Sequence, residues 1–177
     1  MILSNNAFKF FKKFKKDTIK RINIAWVESK EELIDVILKS EHYVFFDYPY
    51  GRTKLPVPKF DVVEAVNIAN SLKSKIWCFA ISNAEDEIFL KTIRSLLDQE
   101  IKMIPKIESP IGIENLKEIM KACDTDTIML DKEDLSTHAG NDQTVLSDCL
   151  NTLKQKAKKN KYKILGLQGV IFDYITI

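Results

Sequence analysis

The chain alternates between short apolar runs and longer stretches in which apolar residues recur three and four positions apart. The runs at 22–27 (INIAWV), 43–47 (YVFFD), 76–81 (IWCFAI), 101–107 (IKMIPKI), 126–130 (DTIML) and 162–167 (YKILGL) are rich in Ile, Val, Phe and Tyr and read as strands. Between them, ESKEELIDVILK, DVVEAVNIANSL, EDEIFLKTIRSLLD, GIENLKEIMKAC and QTVLSDCLNTLKQKAKK carry a helical period. Six strands alternating with five helices predict βαβ units and a largely parallel sheet. Periodicity fits both an open doubly wound sheet and part of a (β/α) barrel. A complete eight-stranded barrel takes roughly 250 residues. The chain has 177, so a barrel is short of at least one β/α unit and leaves a sheet edge to be covered. The longest irregular segment, DYPYGRTKLPVPK (47–59), holds three prolines and one glycine. It marks a loop after a strand, where α/β folds carry their chemistry.

Charge changes this picture at one place. Residues 1–21 carry a balance of +6 and the remainder −4. The mildly acidic main part offers no nucleic-acid surface. In AFKFFKKFKK, Phe10, Phe11 and Phe14 share a helical face. This predicts a basic N-terminal helix over 8–16, packed on its own domain or docked on a membrane surface or a partner. The expected organisation is a basic amphipathic segment, 1–21, followed by one barrel domain, 22–177. Cys78, Cys123 and Cys149 are scattered, without metal-ligand spacing. With no signal-like or membrane-spanning apolar run, they point to a reducing cytoplasm.

The candidate chemistry lies in KMIPKIESPIGIENLKEIMKACDTDTIMLDKEDLSTHAG (102–140). Lys106 and Glu108, two apart at the end of an apparent strand, share a face. The C-terminal end of a strand is where barrels and open sheets hold their sites. The next strand ends in IMLDKEDL, which offers Asp131 and Asp134. Glu108 with Asp134 supplies two oxygen ligands of the kind Mg²⁺ or Mn²⁺ favours. Solvated loop charges would look the same by spacing alone. Asp131 and Asp134 have opposite parity, so only one faces inward if the strand runs that far. His42 and His138 stand alone. No dinucleotide fingerprint, P-loop, nucleophile elbow or HExxH occurs.

Over these residues the sequence resembles pyruvate kinase and, more loosely, the citrate-lyase/2-keto-acid aldolase branch of the same phosphoenolpyruvate/pyruvate barrel superfamily. The resemblance is carried by KIES (106–109), Gly112, ENLKEIM (114–120), ACD (122–124) and IMLDKEDL (128–135). It extends faintly over 43–170, through DYPYGRT (47–53), 61–87 and KYKILGLQG (161–169). It implies an α/β fold: an incomplete or compact TIM-type barrel of about six strands. It further implies Glu108 and Asp134 as ligands of Mg²⁺ or Mn²⁺, and Lys106 as the catalytic cation beside an enolate or a transferring phosphoryl oxygen. Lys132, Glu133 and Gln168 fall at substrate-binding positions, with backbone amides around Lys132–Asp134 facing a ligand carboxylate. The implied ligand is a small keto acid or phosphoenolpyruvate.

The sequence departs from the kinase pattern. Lys132-Glu133 replaces Arg-Gly, and Leu167 replaces a ligand-contacting Thr. The nucleotide lid is absent. The family's early-strand Asn-x-Ser motif and its Arg have no evident counterpart. Three readings follow: a metal-dependent lyase, aldolase or phosphotransferase; a degenerate barrel serving as a binding or regulatory module; or a subunit, homo-oligomeric or completed by a partner chain, whose open barrel edge is covered by its neighbour.

Overall fold

Most of the helices start at a side chain that can satisfy their first free amides. Ser29 accepts from Glu32 N at 3.1 Å to open α1 (Lys30–Leu38). Asp61 and Glu64 form a reciprocal capping box on α2 (Val62–Ser71). Asp86 caps α3 (Glu87–Leu96), Ser109 caps α4 (Pro110–Glu114) and Asp142 caps α7 (Gln143–Asn160). Caps of this kind are worth about 1 kcal/mol each. The helix predicted over 112–123 is broken at Asn115 into α4 and α5 (Leu116–Cys123). A further helix, α6 (Lys132–His138), follows the fifth predicted strand and was not anticipated.

The structure, a computed structural model, describes residues 2–4, 15, 17–168 and 171–175; Leu3 and the residues after Gly166 are described by backbone alone. The basic helix predicted over 8–16 lies outside the described residues. The strands are β1 (Ile2–Ser4), β2 (Ile19–Asn23), β3 (Val44–Tyr48), β4 (Ile76–Ile81), β5 (Lys102–Ile107), β6 (Thr127–Leu130), β7 (Lys163–Gln168) and β8 (Ile171–Ile175). The run at 22–27 divides into the end of β2 and a 3-10 turn, Ile24–Trp26. From β2 to β7 the six expected strands pair in parallel, in chain order, with helices between them. This is an incomplete TIM-type arrangement.

The open edge expected from the chain's length is filled by the chain itself. β1 pairs in parallel with β2, and β8 runs antiparallel to both β7 and β1. The ring is thus closed, and neither a partner nor a helix is needed to cover an edge. No helix among the described residues is long and apolar enough to cross a membrane. All three cysteines are unpaired.

Strand parity separates two environments. Outward-facing Ile22, Phe46, Phe79, Met103, Ile107 and Ile128 join the apolar shell beneath the helices. Inward-facing Phe45, Cys78, Ala80, Ile104, Met129 and Leu165 fill the barrel together with Ile2. Continuing the inward parity toward the C-terminal ends of the strands gives Asp47, Ser82, Lys106 and Glu108, all buried. That end of the barrel holds the candidate site.

Candidate active site

A cavity of about 320 Å³ opens at the C-terminal ends of the strands, at the low end of the range for small-molecule pockets. β2 contributes Arg21 and Asn23, the segment after β4 Ser82 and Asn83, and β5 with its end Lys106 and Glu108. The turn after β6 contributes Asp131, Asp134, Thr137 and His138. The loop after β3 stands at the mouth with Tyr50, Gly51, Arg52 and Lys54. A larger depression, about 840 Å³, includes Lys102 and Asp126 at the opposite ends of β5 and β6. Barrels do not place their chemistry at that face.

The floor of the cavity is an alternating row of charges. Arg21 Nε donates to Asp47 Oδ2 at 2.8 Å, and a terminal guanidinium nitrogen donates to the same oxygen. Asp47 Oδ1 accepts no hydrogen bond from any described residue and lies 3.7 Å from Lys106 Nζ. Lys106 donates to Ser82 Oγ at 2.8 Å, and its ammonium is 2.8 Å from Glu108 Oε1. That last pair is coulombic, because Oε1 accepts no hydrogen bond from any described residue. Glu108 Oε2 accepts from Asn83 N at 2.9 Å.

Burial and charge oppose each other at each of these groups. Burial alone would lower the Lys106 pKa, but the Asp47 and Glu108 carboxylates outweigh it, so the ammonium is held above its ordinary value. Burial would raise Asp47, yet Arg21 and Lys106 together hold its carboxyl below the usual range. Glu108 goes the other way. Burial pushes its carboxyl up, with a contribution from Asp134, and Lys106 and Asn83 only partly offset the rise.

Glu108, Asp131 and Asp134 each present a carboxylate oxygen, and these oxygens all lie within 4.8 Å of one another. Three hard oxygen donors, one of them from the buried Glu108, fit Mg²⁺ or Mn²⁺. Strand parity would let only one of Asp131 and Asp134 face inward if the strand ran that far. Both join the cluster, because β6 stops at Leu130 and α6 begins at Lys132. Helical geometry replaces the period of two between them.

Asp131 caps α6 by accepting from Glu133 N at 3.1 Å and Asp134 N at 3.3 Å. Two of the amides expected to face a ligand carboxylate, those of Glu133 and Asp134, therefore face Asp131. Lys132 and Glu133 are exposed and do not line the cavity. Gln168 ends β7, and its side chain lies outside the described residues. His138 lines the cavity, with Nδ1 3.0 Å from the Asp134 carbonyl.

Sequence reading missed Arg21, Asn23, Asp47, Ser82 and Asn83. Arg21 and Asn23 carried a usable signal, since they lie two apart on one strand, like Lys106 and Glu108. The strand expected from Ile22 starts three residues earlier, at Ile19, so Arg21 lies on it and not in the N-terminal basic segment. The cavity thus receives an Arg and an Asn from an early strand, where no counterpart of the Asn-x-Ser motif and its Arg had been evident. Nothing in the sequence singles out Ser82 or Asn83.

Over residues 24–173 the sequence matches the model of the HpcH/HpaI aldolase/citrate lyase family. That is the branch it resembled more loosely. No curated protein is detectably similar. Among solved structures, the HpcH/HpaI aldolase from Desulfitobacterium hafniense DCB-2 superposes with a TM-score of 0.62 at 12% identity, covering 85% of this chain and 68% of that one. RipC from Yersinia pestis gives 0.60 at 13%, covering 84% and 68%. The citrate synthase SbnG gives 0.51 at 11%, covering 87% and 79%. At such identities the likeness shows the fold alone.

Proposed function

The chain belongs to the HpcH/HpaI aldolase/citrate lyase family, and on that premise we propose that it is a divalent-metal-dependent lyase acting on a pyruvate-type keto acid. The observation that carries this reading is the convergence of Glu108, Asp131 and Asp134 beside the buried Lys106. In the proposed site these three carboxylates would hold Mg²⁺ or Mn²⁺, and the ion would supply Lewis acidity to a keto-acid ligand.

The chain's own residues supply the rest. Cleaving the bond between the carbons α and β to the keto group leaves its electron pair in an enolate. The other fragment departs as a carbonyl compound, its hydroxyl proton passing to solvent, or as CO₂ from a carboxylate. The enolate then takes a proton at carbon. Lys106 is a fixed positive charge for the developing enolate oxygen. Its orientation is set by Asp47, Ser82 and Glu108, so no reorganisation is needed as charge develops. Arg21 holds Asp47 in place.

Phosphotransfer is the weaker reading. The Lys132-Glu133 pair stands in place of Arg-Gly, and phosphoryl transfer depends almost wholly on such positioning charges.

Calorimetry of oxalate, an enolate mimic, tests the proposal with and without Mn²⁺. Binding is expected only with the metal, and Glu108→Ala should weaken it by about 100-fold or more. Mn²⁺-dependent release of CO₂ from oxaloacetate, which generates the same enolate, should fall in parallel. Oxalate binding that ignores the metal would sink the reading.

A further inference from the structure

Resting on that reading, we infer that Asn83 is a positioning residue of the metal site: its left-handed backbone aims an amide at Glu108, and its side chain ties the loop after β3 to the same turn. Four non-glycine residues among those described have a positive φ: Asn83, Asp124, Asn141 and Lys161. The last three follow the ends of α5, α6 and α7, where a left-handed residue is the ordinary way to stop a helix. Asn83 follows a strand instead. β4 ends at Ile81, and Asn83 has φ +50°. Backbone of this kind persists only where its surroundings demand it, and such residues cluster at working sites.

The contacts show what the conformation achieves. Asn83 N donates to Glu108 Oε2 at 2.9 Å. With that oxygen held, the carboxylate plane cannot turn freely, and Glu108 meets Asp131 and Asp134 in one orientation. The neighbours of Asn83 are pinned as well. Ser82 N donates to the Tyr48 carbonyl at 3.1 Å, and Ala84 N to the Lys106 carbonyl at 3.2 Å. The turn also has little slack. A Cβ on Gly112 of α4 would lie 3.0 Å from the Ala84 carbonyl oxygen, and one on Gly51 would lie 3.1 Å from Asn83 Nδ2.

The side chain of Asn83 has a separate partner. Its Nδ2 donates to the Tyr50 carbonyl at 2.6 Å, and the Tyr50 ring stacks on Phe89 with centroids 4.3 Å apart. The mouth loop is thus fastened to the residue that holds the metal carboxylate. Every residue but proline has an amide to offer Glu108. Asparagine adds two things: it enters the left-handed region more readily than most residues with a side chain, and it can donate to a carbonyl, which an aspartate cannot. Glycine would keep the backbone and lose the tie, so the two roles can be separated.

Calorimetric titration of the full chain with Mn²⁺ tests the first role. Asn83→Val places a β-branched residue where φ is positive, and should weaken Mn²⁺ binding about tenfold or more. Asn83→Gly should restore the affinity to within about threefold of wild type. A turn serving the fold alone would move the urea midpoint and leave the Mn²⁺ affinity of the folded variants unchanged. If Asn83→Val does not fold, Asn83→Ala takes its place, since alanine enters the left-handed region less readily than glycine. Its Mn²⁺ affinity should then lie below that of Asn83→Gly. Limited proteolysis of the metal-free chain tests the second role. Trypsin should cut after Arg52 and Lys54 about fivefold faster in Asn83→Gly, the yield of one lost hydrogen bond. Wild type that binds Mn²⁺ while Gly and the bulkier variant weaken it equally, or neither weakens it, overturns the inference. So does tryptic cleavage unchanged in Asn83→Gly. Either result leaves the proposed function standing. Wild type that takes up no Mn²⁺ removes the proposed function and the inference with it.

Discussion

The two ends of the barrel interior are made by the same strands and could hardly differ more. At one end Phe45, Cys78, Ala80, Ile104, Met129 and Leu165 pack as an apolar plug. Two residues further along β3, β4 and β5, the same inward column reads Asp47, Ser82 and Lys106. The plug stabilises the fold by burying area, at about 25 cal/mol per Å². The charged end does not obviously stabilise anything. Buried ion pairs roughly break even against well-packed apolar groups, since each charge must leave water. An Asp–Lys–Glu row kept out of solvent, with the half-buried Arg21 at its end, is therefore better explained by what it holds in place than by what it adds to stability.

The most direct way to break this contrast is in the plug. Phe45→Ala should cost about 3–5 kcal/mol in urea unfolding, the usual result of emptying a well-packed aromatic site. A much smaller loss would mean the plug is not the part that carries stability. At the charged end, Asp47→Asn should cost about 2 kcal/mol, since it weakens the acceptor for Arg21 and removes the charge facing Lys106. It should also weaken Mn²⁺-dependent oxalate binding while leaving Mn²⁺ affinity little changed, a split seen by titrating the metal alone and then oxalate. Glu108→Gln sharpens the contrast further. Burial pushes that carboxyl up, so removing its charge relieves that burial cost while leaving Lys106 only Asp47 as counter-charge, and stability should stay within about 2 kcal/mol of wild type. Metal-dependent binding should still be lost. The smallest effect is in acid. The Asp47 carboxyl is held below its ordinary range, so its contribution is complete above the unfolded value. It is lost as the pH falls below about 4, through the folded value. Unfolding midpoints measured from pH 5 to pH 2 should therefore fall less steeply in Asp47→Asn than in wild type.

The same division explains what the sequence made legible. The outward faces of β3 to β6 and the helical stripes above them are apolar and periodic, so the six parallel strands and most helices could be read directly. Lys106 and Glu108 were legible because two charges two apart in an apolar strand are conspicuous. The parity argument does not reach Asp131 and Asp134, because the strand ends at Leu130 and a helix starts between them. Closure was hidden for a different reason. β1 contributes only Ile2–Ser4, and β8 pairs antiparallel, whereas the β/α alternation leads one to expect only parallel neighbours. Ser82 and Asn83 act through a hydroxyl and a backbone amide, and neither role leaves a mark in residue type.

β5 carries two messages in one short stretch. Met103 and Ile107 address the helical shell, while Ile104, Lys106 and Glu108 address the barrel. An inserted or deleted residue ahead of Lys106 would exchange the two frames, turning the ammonium and carboxylate under the helices and an isoleucine into the cavity. Sequence drift in descendants of this chain is thus constrained by reading frame as well as by residue type. The irregular loop after β3 could lengthen or shorten and leave the strand register intact, while β5 can change only by substitution.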